Sequence, residues 1–90
     1  MRMGKVLAIM KIMPEEANAP IAELRNQLEQ ALKGKAHIEA WEEVPIFGPL
    51  SALRLRFIVE DEAGGTAFVE EIVRKVPGVS ELEIEAVSLL

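Results

Sequence analysis

Few residues in this 90-residue chain could do active-site chemistry, and their spacing limits what that chemistry would be. His37 is the only histidine and cysteine is absent, which removes thiolate nucleophiles, disulfides and thiolate metal sites together. Beside Glu39 on an alternating run, His37 reads as a surface residue rather than a general base or metal ligand. Glu60, Asp61 and Glu62 could gather a hard cation weakly, yet ordered calcium loops need more ligands at fixed spacing. Gly64-Gly65-Thr66 opens a helical stretch, where free amides and the helix dipole favour anions. The lysine of a GxxxxGK[ST] loop is missing and three acids precede the glycines, so a tight turn plus a helix cap is expected there instead. No catalytic, cofactor-binding or metal-binding constellation results. The chain reads as a binding or regulatory module, not an enzyme.

The feature that chemistry leaves unexplained is VPIFGPLSAL, Val44 to Leu53. With only three phenylalanines and one tryptophan available, the chain places Phe47 between two prolines and directly before Gly48. The prolines limit the motion of the backbone around a bulky ring placed where no regular element can easily bury it.

The elements that hold these residues follow from periodicity. Val6, Ala8, Met10 and Ile12 alternate with Lys5, Leu7, Ile9 and Lys11 in a first strand closed by Met13-Pro14. Asn18-Ala19-Pro20 starts a helix whose stripe is Ile21, Leu24, Leu28, Ala31 and Leu32, with Gly34 placed as a left-handed stop. A second strand, Ala36 to Val44, sets Ala36, Ile38 and Ala40 against His37, Glu39, Trp41 and Glu43. After a connector from Pro45 to Pro49, Leu53, Leu55, Phe57 and Val59 alternate with Arg54, Arg56 and Ile58 in a third strand. Thr66 is the expected cap of a second helix carrying Phe68, Val69, Ile72, Val73 and Val76, stopped by Pro77-Gly78. Leu82, Ile84 and Ala86 then alternate with Glu81, Glu83 and Glu85 in a last strand.

That order, βαββαβ, predicts an α+β ferredoxin-like sandwich. It is a single domain over residues 1–90, a four-stranded antiparallel sheet with both helices on one face and strand order 4-1-3-2. The helix-free face would then carry Lys5, Lys11, Arg54 and Arg56 between two acidic edges, Glu39 and Glu43 on one side and Glu81, Glu83 and Glu85 on the other. Leu7, Ile9, Trp41 and Ile58 would share that face.

Net charge of −5 disfavours nucleic acid and anionic membranes, which need a positive field. The aromatics that ferredoxin-like sheets use to stack RNA bases are missing from the central strands, so no direct nucleic-acid contact is expected. No apolar run approaches the roughly 20 residues of a membrane span. Met1-Arg2-Met3-Gly4-Lys5 has no cleavage site after it, which points to the cytoplasm.

At the connector and third strand the pattern becomes more specific. PIFGPLSALRLRFIVEDEAGG, Pro45 to Gly65, resembles the corresponding stretch of the elongation factor 1-beta family, where a proline, a Phe-Gly loop, an aliphatic strand and an acidic turn follow one another. The N-terminal MGKVLAIMKIMPEE and C-terminal EIEAVSLL resemble the outer segments of its archaeal members. The resemblance implies a ferredoxin-like guanine nucleotide exchange factor for elongation factor 1-alpha, with no cofactor and no small-molecule substrate. It also implies partner contacts at Phe47, Gly48 and Leu50, where the aromatic enters a pocket of the partner's second domain, and at Leu89 and Leu90, where the tail reaches the nucleotide region. Eukaryotic members carry a penultimate lysine that competes with magnesium. This chain ends Val87-Ser88-Leu89-Leu90, so a steric action of the tail is the implied version. The competing readings are a small-molecule-binding ferredoxin-like regulatory domain, which usually adjoins a catalytic domain, and an acylphosphatase-like enzyme. The latter needs an anion-cradling loop after the first strand, where Glu15 and Glu16 stand instead.

Overall fold

Alternation decides which face of each strand meets the helices, and interruptions of that alternation decide where side chains change face. The computed structural model describes residues 4–61 and 64–90. Its elements are β1 (Lys5–Pro14), α1 (Ile21–Leu32), β2 (His37–Phe47), β3 (Leu50–Glu60), α2 (Gly65–Arg74) and β4 (Val79–Leu89). The strands form one sheet in the order β2-β3-β1-β4, with every neighbouring pair antiparallel. This is the expected ferredoxin-like arrangement, with β1 and β3 in the centre.

One apolar layer holds it together. Val6, Ala8, Met10 and Ile12 of β1 and Leu53, Leu55, Phe57 and Val59 of β3 are buried with Leu24, Leu28 and Leu32 of α1 and Val69 and Val73 of α2. Both helices therefore cover the same face. Their stripes recur at three- and four-residue spacing, which presents one side of each helix to the sheet.

The helix ends differ in part from expectation. Pro20 occupies the cap position of α1, where its missing N–H removes no hydrogen bond. Gly34 lies in the left-handed region, φ 77°, just past the helix. The cap of α2 is Gly64, at φ 102°, and Thr66 sits inside the first turn, so the expected threonine cap is not formed. A side chain at Gly64 would be strained at that φ, whereas glycine adopts it freely and leads the chain from Asp61 into the helix.

Four register shifts, two along each edge strand, change the faces of residues there. In β2 the pairing slips between Ile38 and Ala40, leaving Glu39 unmatched. Residues directly opposite in an antiparallel ladder project to the same face, so Trp41, opposite Leu55, turns to the helix side and Ala40 and Glu42, opposite Arg56 and Arg54, turn away from it. The expectation of Trp41 and Glu43 on the helix-free face is thereby corrected. Trp41 is half-buried against the core, and its Nε1 donates a 2.9 Å hydrogen bond to Glu29 Oε2 of α1. In β4 the pairing slips between the partners of Ile9 and Met10, leaving Glu85 unmatched. Ala86 moves to the helix-free face, against expectation, while Val87 and Leu89, opposite Ala8 and Val6, move to the helix side.

The connector is also shorter than expected. β2 continues through Pro45 and Ile46 to Phe47, which pairs with Leu50, and only Gly48 and Pro49 form the turn. Proline is tolerated at Pro45 because β2 is an edge strand. Gly48 has φ 55°, and proline fixes a negative φ at Pro49, the sign pattern of a type II′ hairpin turn with glycine first.

Candidate functional site

The helix-free face carries the charge ladder, rearranged by the bulges. Arg54 donates from Nε to Glu85 Oε1 at 2.8 Å and from Nη1 to Glu42 Oε1 at 3.0 Å, and Lys11 Nζ lies 3.7 Å from Glu83 Oε1. Arg54 thus stitches β2 and β4 to β3 across β1. The carboxylates hold its guanidinium well above the ordinary arginine value, Glu85 more than Glu42. In return the hydrogen bond from Arg54 holds the Glu85 carboxyl below its ordinary value.

Because the folded-state pKa of Glu85 is lowered, its contribution to stability is present above the ordinary value of 4.5 and is lost as pH falls through the lower folded value. Arg54→Met should therefore narrow its deficit relative to the parent chain as pH drops below 4.5. Thermal melts from pH 7 to 3 would check this, and a deficit independent of pH would exclude the pair as its source. These groups face solvent, so the effect at neutral pH is small.

His37 Nε2 lies 2.9 Å from Glu39 Oε2 on an exposed edge, in accord with a surface role. Among the described residues no three acids or histidines gather as a metal site, and Glu62 of the acidic turn lies outside them. A shallow cleft of about 330 Å³ lined by Lys5, Lys35, His37 and Glu60 contains no serine, threonine or cysteine nucleophile. No described helix is long and apolar enough to cross a membrane.

What remains is apolar and exposed, and it lies at the two ends of the sheet. The large exposed hydrophobic residues among those described are Ile46 and Phe47 at one end and Val87, Leu89 and Leu90 at the other. Phe47 is 73% accessible and Leu89 77%, so neither side chain is packed into the core. The pairing of β1 with β3 ends at Ile12 and Leu53, so the hairpin from Val44 to Ala52 projects beyond the neighbouring strand and carries the ring at its tip. Gly48 is exposed in the turn and Leu50 half-buried beneath it. Opposite, Leu89 pairs with Val6 and the Leu90 N–H donates to Lys5 O at 2.9 Å, so the tail is held as the last residues of the sheet.

The expected site residues are therefore not one patch. They form two groups separated by the length of β3, whose eleven residues span about 33 Å in extended form. The molecule is correspondingly long, 49 × 20 × 17 Å. Sequence reasoning missed Ile46 and Val87. Ile46 adjoins Phe47 in VPIFGPLSAL, but a loop gives its side chain no defined face, whereas the hairpin exposes it. Val87 was hidden by the bulge at Glu85.

Comparison with known proteins agrees with this architecture. A solved ACT domain from the GTP pyrophosphokinase of Chlorobium tepidum superposes with a TM-score of 0.64 at 21% identity, covering 90% of this chain and 99% of that one, which shows a shared fold. Curated relatives named elongation factor 1-beta are far closer in sequence. That of Desulfurococcus amylolyticus is 38% identical over 89 residues, 98% of this chain and 99% of the relative. That of Staphylothermus marinus is 41% identical over 86 residues, 94% and 96% of the two chains. The model of the EF-1 guanine nucleotide exchange domain matches residues 7–90, from the first strand through both exposed ends to the last leucine. With relatives matched along nearly their whole length and that model spanning the sheet and both helices, the chain belongs to the EF-1 guanine nucleotide exchange family.

Proposed function

We propose that the chain releases GDP from elongation factor 1-alpha by gripping it at two separated points, the Phe47 hairpin and the Leu89–Leu90 tail, so that GTP can rebind. The observation that carries this reading is the sorting of exposed large apolar side chains to opposite ends of one sheet. Nucleotide exchange needs no covalent step, which agrees with a surface built from apolar and charged contacts. Phe47, on a hairpin closed by Gly48 and Pro49, is the anchor, and Gly48 and Leu50 support the ring at the tip. The tail is the group that disturbs the nucleotide site, sterically, since Leu89 and Leu90 bring bulk and no charged side chain.

The single rigid sheet between the two points sets the separation the partner must present. Once one end is bound, the other acts intramolecularly at high effective concentration, provided the spacing matches. Binding and nucleotide release are then reciprocal: if the domain weakens GDP, GDP weakens the domain by the same factor. Titration of nucleotide-free and GDP-loaded elongation factor 1-alpha should show at least about tenfold tighter binding to the empty form, or about 1.4 kcal/mol. Equal affinities would contradict an exchange role.

Removing Leu89 and Leu90 separates grip from release. Their loss shortens an edge strand by one described interstrand hydrogen bond, Leu90 N–H to Lys5 O, a cost of about 1 kcal/mol. GDP release should fall more than affinity does. Proportional loss of both would make the tail a contact without a part in release.

A further inference from the structure

The hairpin tip does more than expose a ring. Because Ile46 is unmatched in the ladder between Pro45 and Phe47, the strand bends there, and Ile46 comes to line a cleft together with Lys11, Met13, Glu81, Leu82 and Glu83. Those residues belong to β1 and β4, so the hairpin leans across the end of β1 toward the far edge of the sheet. Ala52, opposite Val44, is wholly buried beneath it. The cleft holds about 220 Å³, room for one large side chain, and Ile46, which lines it, is exposed and adjoins the exposed Phe47 in the chain.

Its floor and rim have different chemistry. Ile46 and Met13 supply apolar surface, and the rim carries Glu81 and Glu83 against one cation, Lys11. Lys11 is 3.7 Å from Glu83, and Glu81 forms no ion pair among the described residues. The rim thus has an excess of one negative charge, at exposed positions where it attracts an approaching cation before contact.

We infer that this cleft receives an apolar side chain of the GTPase, carried next to a lysine or arginine that meets Glu81, while Phe47 enters the GTPase from the same hairpin. The contact is reciprocal, each protein inserting one side chain into the other, and this fixes the angle of the hairpin on its partner as a single inserted ring does not. The inference rests on the reading of the hairpin as the GTPase-binding end, and it adds Ile46, Met13 and Glu81 to that surface. Small molecules are poor occupants, because the cleft is only half enclosed and three of its six lining residues are charged.

Three variants of the full chain test it, each read by stopped-flow association with nucleotide-free GTPase after a thermal melt establishes folding. Glu81→Lys should slow association about fivefold or more at low ionic strength, and the difference should shrink toward none at 1 M salt, where the Debye length is about 3 Å. Ile46→Ser should weaken binding about tenfold through faster dissociation with no such salt dependence. Phe47→Ala serves as the reference for the hairpin itself. If Phe47→Ala weakens binding and the other two match the parent chain, the cleft is not a contact and this inference fails while the hairpin reading stands. If none of the three changes binding, the hairpin reading fails with it.

Discussion

Phe47→Ala should slow GDP release from elongation factor 1-alpha by tenfold or more while leaving the fold intact. A large aromatic anchor at a protein interface contributes about 2 kcal/mol or more when truncated, equivalent to some thirtyfold in affinity. The ring is 73% accessible, so its removal leaves no cavity, and stability should change by less than about 0.5 kcal/mol. The backbone around it is preset by the Gly48-Pro49 turn and by pairing with Leu50, so little ordering entropy is lost on docking. The check is paired: release kinetics of labelled GDP with the variant, and its urea unfolding curve. Parent-like release would take the ring out of the mechanism.

Phe57→Ala should do the reverse. Phe57 is wholly buried on a central strand, opposite Ala8 of β1 and Ile38 of β2, under both helices. Emptying such a site costs about 3–5 kcal/mol, transfer and cavity together. A domain of this size has only about 5–13 kcal/mol of stability to lose. With about 4–8 °C of melting temperature per kcal/mol, the midpoint should drop by roughly 12 °C or more. A loss under about 1 kcal/mol would mean that the core collapses around the gap or that the ring is not packed as described. The two phenylalanines, ten residues apart on one hairpin, thus separate interface from core.

Much of this was legible in the residues because the central strands are regular. β1 and β3 alternate without interruption, and their buried sets, Val6 to Ile12 and Leu53 to Val59, match the periodicity. The helical stripes fix one face each, and the βαββαβ order with right-handed crossovers leaves few sheet arrangements. The edge strands were misread for one physical reason. A bulge inserts a residue that pairs with nothing, and every residue beyond it changes face, yet no composition marks the insertion. Glu39 and Glu85 are ordinary strand glutamates by type. Trp41 reaches the helix side by that slip, and its indole suits the place, with an apolar body for the core and an N–H that finds Glu29.

At the hairpin, Pro45 and Pro49 read as breakers in the sequence. On an edge strand a proline costs no interior ladder bond, so β2 runs through it to the tip. The anchor role of Phe47 comes from the family resemblance, since its placement alone only marks it as a ring without an evident packing site. Its neighbour Ile46 needed the bend to be seen. The opposite ends of the expected site were also invisible in one dimension, since strand direction alone decides that the start of β3 and the end of β4 lie far apart.

The most direct test is release of labelled GDP from the cognate elongation factor 1-alpha in excess unlabelled nucleotide, with and without the full chain. The expected result is acceleration that grows with the concentration of this protein until the GTPase is saturated. Release at the spontaneous rate at every concentration would contradict it.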